Sequence, residues 1–154
     1  MKKWLLGFCL GLLPGLACAG FSPSPSHGGS LVEIGDEAAY VELVLDKEAG
    51  KLKAYVMDGE AEDPVRLAQK SLWLKVRAQG RRLRLKLEAL ADPLSGERSG
   101  DSSVFEADLK LLAGIESFHG ELEQMEVLGQ VFEKTTFEFP RQEALHGKPA
   151  TQAN

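Results

Sequence analysis

Three histidines lie beyond the first leader-like residues: His27, His119 and His146. Imidazole is the side chain that binds transition metals and moves protons near neutral pH, so each is a candidate for chemistry. None lies at metal-ligand spacing from another histidine or from a cysteine. No serine occupies a glycine-flanked nucleophile elbow, and no glycine-rich loop leads into a helix to cradle phosphate. The pattern therefore argues against an enzyme. His27 is the one candidate metal residue, because it opens a His27-Gly28-Gly29 run beside a Pro/Ser stretch. Weak copper or zinc binding there would need a carboxylate such as Glu42, with His119 brought near by the fold. A solvated His27 at the end of a mobile arm is the competing reading.

A second constellation is electrostatic. If the chain turns at Gln79-Gly80, Arg77 faces Arg82, Lys75 faces Arg84 and Trp73 faces Lys86, all on the outer side of one strand pair. Like charges directly opposite one another are unfavourable by some tenths of a kcal/mol. A basic ribbon of this kind is either a solvated face that blocks edge pairing or a contact for an acidic partner or lipid headgroup.

The elements that must position these groups follow from a period of two. Val41, Leu43 and Leu45 alternate with more polar neighbours, as do Leu52, Ala54 and Val56, Leu72, Leu74 and Val76, and Leu83, Leu85 and Leu87. Each run is a strand with one buried face. Pairing Asp46 with Lys51 across Lys47–Gly50 sets Leu45 against Leu52, Leu43 against Ala54, Val41 against Val56 and Tyr40 against Met57. Pairing Ala78 with Arg81 sets Val76 against Leu83, Leu74 against Leu85 and Leu72 against Leu87. Both hairpins close without register conflict.

Farther on, residues 92–102 read as a polar loop, and Asp108 to Ile115 as a short helix or irregular crossover. A two-residue turn at Gly129-Gln130 pairs Val127 with Phe132 and Leu122 with Phe137. Those pairs fall on opposite faces, so a bulge or a longer turn is required. Short strands, many turns and little helix predict an all-β fold: an antiparallel β-sandwich of roughly seven to nine strands, or a small barrel.

The ends carry different signals. Residues 1–19 combine Lys2-Lys3, an apolar run from Trp4 to Leu16 and Ala17-Cys18-Ala19, the pattern of a secretory signal peptide. Cleavage after Ala19 leaves 135 of the 154 residues and, with both leader lysines removed, takes the formal charge from −5 to −7. Processing at Cys18 as a lipoprotein is the alternative, and the only route by which a membrane partner is expected. Simple cleavage makes the product periplasmic or secreted, and processing at Cys18 makes it lipid-anchored through that residue. Both cysteines, Cys9 and Cys18, lie in this leader, so no disulfide is expected. The acidic balance argues against nucleic acid as a partner. Residues 20–29 read as a Pro/Ser/Gly tether, 30–140 as the β domain and 141–154 as a frayed tail.

His27-Gly28-Gly29, the strand Val41-Glu42-Leu43-Val44-Leu45-Asp46, the strand Tyr55-Val56-Met57-Asp58 and Pro64-Val65 together resemble a group of exported bacterial proteins, some encoded beside heavy-metal efflux systems. The resemblance covers mainly residues 27–65. It implies a periplasmic accessory role in metal handling. Many members carry histidine immediately before the Val-Glu-Leu-Val or similar strand, where this chain has Tyr40. The other functional expectation, from the basic ribbon, is a non-catalytic module that docks an envelope protein.

Overall fold

A computed structural model describes residues 23–112 and 114–140. The expected leader, Cys18 and the 141–154 tail with His146 lie outside these residues. Ten strands form: β1 (Ser30–Ile34), β2 (Ala39–Asp46), β3 (Lys51–Met57), β4 (Ser71–Ala78), β5 (Arg81–Ala89), β6 (Val104–Asp108), β7 (Phe118–Leu122), β8 (Met125–Val127), β9 (Gln130–Phe132) and β10 (Thr135–Phe139). Eight of them make one antiparallel sheet in the order β1-β2-β3-β6-β5-β4-β7-β10. The all-β antiparallel expectation holds. Of its two forms the barrel is the nearer, since the single sheet curls until it is nearly barrel-shaped. Edge strands β1 and β10 face one another across a gap lined by residues 31–33 and 135–138.

The reason lies in the alternation. Val41, Leu43, Leu52, Ala54, Val56, Leu72, Leu74, Val76, Leu85, Leu87 and Phe105 are all buried and belong to one apolar cluster. A sheet whose strands all bury the same face can wrap that face around itself and so reduce its open edges. Strands β3 to β6 have Greek-key order, with β3 beside β6, and the long 58–70 connection carries the chain past both β6 and β5.

Both predicted hairpin registers are the observed ones. Asp46 pairs with Lys51 and Tyr40 with Met57. Ala78 pairs with Arg81, Arg77 with Arg82, Lys75 with Arg84 and Trp73 with Lys86.

The C-terminal hairpin is corrected by one residue. Its turn is Leu128-Gly129, both at positive φ (50° and 80°), rather than Gly129-Gln130. Val127 therefore pairs with Gln130 and Met125 with Phe132. Leu122 pairs with Thr135, and Phe137 with Gly120. The buried face still changes phase, from Phe118 and Leu122 to Met125 and Val127. The change falls at Glu123-Gln124, where the hairpin leaves the large sheet and β8–β9 becomes a separate pair. Phe132 reaches the β1–β2 turn, where a Cβ at Gly35 would lie 2.5 Å from its ring. Gln69 ties β8 to the 58–70 connection through Gln124 and Glu126.

The 92–102 loop is more ordered than its composition suggests. Ser102 is fully buried; its hydroxyl accepts from the Val104 N–H and has the carbonyls of Leu90 and Val104 within 2.9 Å as alternative acceptors for its one proton. Residues Leu109–Leu112 form one 3-10 turn in the expected crossover.

Leu74 is fully buried between Leu85 and Leu122. Leu74→Ala is expected to lower stability by about 2–5 kcal/mol through lost burial and a residual cavity. Urea denaturation followed by circular dichroism measures it, and a change near zero would contradict the inward register.

Candidate functional site

Two arrangements gather the residues singled out by sequence. The first is on the outer side of β2 and β3. Glu42 points away from the barrel interior, yet it is 0% exposed. Its carboxylate is held by the segment that precedes β1. Oε1 accepts from the backbone N–H of His27 at 2.8 Å and of Gly29 at 2.7 Å. Oε2 accepts from the backbone N–H of Ser26 at 3.0 Å and contacts His27 Nδ1 at 2.9 Å. The His27 ring stacks on Tyr55, with centroids 3.7 Å apart and planes 6° from parallel.

The glycines make this geometry available. Gly28 has φ +72°, where residues with a Cβ are strained. A Cβ on Gly29 would lie 2.4 Å from the Leu43 carbonyl oxygen. The His-Gly-Gly run is thus a clasp in which successive backbone N–H groups surround a buried anion. Ser26 to Gly29, expected as part of a mobile tether, are tied to β2. The Ser26 hydroxyl also donates to the Met57 sulfur at 3.7 Å. Leu31, Tyr40, Met57 and Ala61 complete a small apolar cluster on this outer face. Asp58 shapes the loop that brings Ala61 there. Its Oδ1 accepts the backbone N–H groups of Glu60, Glu62 and Asp63. Chief among them, the Glu62 N–H holds the Asp58 carboxyl below its ordinary range.

His119 is not brought to His27. It projects from β7 beside Arg77 and lies 3.3 Å from Glu138, both side chains well exposed. Between β2 and β7 stand β1 and β10 on one side, and β3, β6, β5 and β4 on the other. Among the described residues, no group of three or more His, Cys, Asp or Glu side chains is placed to hold a metal ion. Glu42 has its oxygens occupied by the clasp, so it orients His27 rather than offering itself as the expected carboxylate ligand. With Glu42 ionised and the imidazole neutral, the Nδ1 contact assigns the ring proton to Nδ1 and leaves Nε2 as the acceptor. The ring is 43% exposed.

The second arrangement is the ribbon of β4 and β5. Its middle is neutralised from β7, a feature that strand pairing within the hairpin alone did not reveal. Lys75 donates to Glu121 at 2.8 Å. Arg84 makes a double hydrogen bond with Glu123, both arms 2.8 Å, and its guanidinium lies 3.8 Å over the Trp73 ring. Lys86 pairs with Glu88 at 2.6 Å. The Glu121 and Glu123 carboxyls are held below their ordinary range chiefly by the hydrogen bonds from Lys75 and Arg84 respectively.

The turn end differs. Among the described residues, no carboxylate forms an ion pair with Arg77, Arg81 or Arg82. These three arginines, His119 and its neighbour Glu138 line an open groove of about 720 Å³, which runs past Phe118 and Phe139. Arg81 was absent from the sequence-derived set because its partner Ala78 places it off the outer face. At the mouth of the barrel it nonetheless reaches the same groove.

No family model matches the chain, and neither a curated relative nor a solved structure matches it. Function must therefore be argued from these two arrangements.

Glu42→Ala removes the acceptor of three backbone N–H groups. Stability is expected to fall by about 1–3 kcal/mol, with the amides of Ser26, His27 and Gly29 losing hydrogen-exchange protection. Unchanged protection at those amides would show that the clasp does not hold the segment.

Proposed function

We propose that this chain is an exported, non-catalytic interaction module that docks an anionic partner in the cell envelope through the turn end of the β4–β5 hairpin. The observation that carries the reading is the contrast within one ribbon. Lys75, Arg84 and Lys86 each have a carboxylate at hydrogen-bond distance. Arg77 and Arg82 face each other directly, with none among the described residues. Facing like charges cost stability, and a cost left uncompensated next to three compensated cations marks a surface kept for contact. The net acidic chain limits non-specific attachment to other polyanions, while the local patch steers encounter with the right one. Screening confines that attraction to about 8–10 Å near physiological ionic strength.

The simplest acidic probe is poly-glutamate. Wild-type protein is expected to bind it at low salt and release it as salt rises. Arg77→Gln, Arg81→Gln and Arg82→Gln combined should abolish binding while leaving the urea midpoint unchanged or slightly raised. Equal binding by the triple variant at every salt concentration would make the arginines ordinary solvated surface.

A second reading keeps the role in metal handling that the His-Gly-Gly resemblance implies. It is favoured by one observation. A histidine that ligates metal usually gives its other ring N–H to a carboxylate, and His27 gives Nδ1 to Glu42. Nε2 is then a single, oriented donor for copper or zinc, which supports transient rather than tight binding. Titration of both metals into wild type and His27→Ala tests it. The expected result is a weak site lost in the variant, and identical isotherms would reduce His27 to its part in the clasp.

A further inference from the structure

We infer that the groove at the end of the β4–β5 hairpin recognises a phosphoryl group. This deepens the docking reading above and rests on it. Arg77 and Arg82 are directly paired across the two strands, and Arg81, next along β5, lines the same groove. All three guanidiniums stay protonated at any physiological pH. A single carboxylate saturates one guanidinium fork with its two oxygens, as Glu123 does for Arg84. Glu138 lines the groove but pairs with His119, and Glu121, whose carboxyl also feels Arg77, is hydrogen-bonded to Lys75. Among the described residues three guanidinium forks around one groove thus lack a carboxylate in direct contact and call for an anion with more oxygens and more charge. A phosphate monoester or diphosphate offers tetrahedrally arranged oxygens to several guanidiniums at once, and arginine suits this contact better than lysine.

The rest of the ribbon supports the assignment. The cations farther from the turn are satisfied by Glu121, Glu123 and Glu88. They neither compete for the ligand nor spread the positive field. The acidic loop Asp58 to Asp63 follows β3, at the barrel end opposite the Gln79-Gly80 turn. That loop therefore does not oppose an anion at the groove, and two of the carboxylates at the groove's own end, Asp108 and Glu116, are paired with Lys51 and Lys47.

Phosphoryl groups reach such a groove either on a free small molecule or on lipid headgroups, and two probes separate these sources. Wild-type protein is titrated with inorganic pyrophosphate by calorimetry and sedimented with phosphatidylglycerol vesicles, with poly-glutamate run in parallel. The Arg77→Gln, Arg81→Gln, Arg82→Gln variant is compared with Lys53→Gln, Lys70→Gln, Arg98→Gln, which removes the same charge elsewhere. Binding of pyrophosphate or of vesicles is expected. It should weaken about tenfold or more in the arginine variant and stay unchanged in the control. Pyrophosphate binding identifies a free ligand, and vesicle binding without it identifies a headgroup array. Binding of poly-glutamate alone overturns the phosphoryl assignment and leaves the docking reading standing. No binding of any probe overturns both, as does equal weakening in the two variants.

Discussion

A carboxylate cannot be taken out of water unless every part of its charge is met, and Glu42 is completely buried. The outer face of β2 and β3 is organised around that constraint. Strand geometry puts Glu42 on the side where a barrel meets solvent. The segment before β1 folds back over it and supplies backbone N–H groups that no neighbouring strand offers. Gly28 provides the backbone turn, and Gly29 lets the segment approach the Leu43 carbonyl. His27 adds a ring donor on one side and an aromatic contact with Tyr55 on the other. Once the segment lies there, Tyr40 and Met57 are covered as well, and this region of the sheet becomes buried on both faces.

The other half of the barrel meets its charges differently. Lys75, Arg84 and Lys86 remain in water, and their carboxylate partners sit on β7, just after it and on β5, within reach of each side chain. Exposed pairs of this kind add little to stability, typically below about 1 kcal/mol. Their consequence is electrostatic patterning: the middle of the ribbon is close to neutral, and the field is concentrated near Arg77, Arg81 and Arg82. Net charge alone would conceal this, because a net acidic chain carries a groove in which three arginines outnumber its one carboxylate, Glu138.

What the sequence made legible follows from which interactions are local. Both two-strand registers were readable because apolar alternation on each side of a short turn admits one phase. The ribbon was readable for the same reason. Its neutralisation was not, since β7 reaches β4 only after an intervening Greek-key path, and nothing near Lys75 announces Glu121 as its neighbour. The His-Gly-Gly run was visible as a motif, but its partner Glu42 looked like an outward strand residue open to solvent or metal. Only the folded-back segment turns it into a buried anion. The Gly129-Gln130 turn was misplaced by one residue because Leu128 adopts a positive φ that leucine seldom takes. Composition favours glycine at the first turn position, whereas Gly129 holds the second.

The clasp and the groove also bear on one another through topology. Ser26 lies beside Met57, where β3 ends, and Gln79-Gly80 turns at the opposite end of the barrel. The clasp therefore fixes the start of the folded domain at the end away from the arginines. Seven residues lie between Cys18 and Ser26, at most about 28 Å of extended chain. Were Cys18 lipidated, that short span would hold the clasp end toward the anchoring membrane and turn the arginine groove outward. A phosphoryl group met there would then be presented from across the envelope space, not by the anchoring leaflet. With cleavage after Ala19 that constraint would disappear, and the clasp alone would not orient the groove. On the docking proposal, the processing of residues 1–19 would then decide whether the three arginines bridge to a second surface or meet a partner from any side.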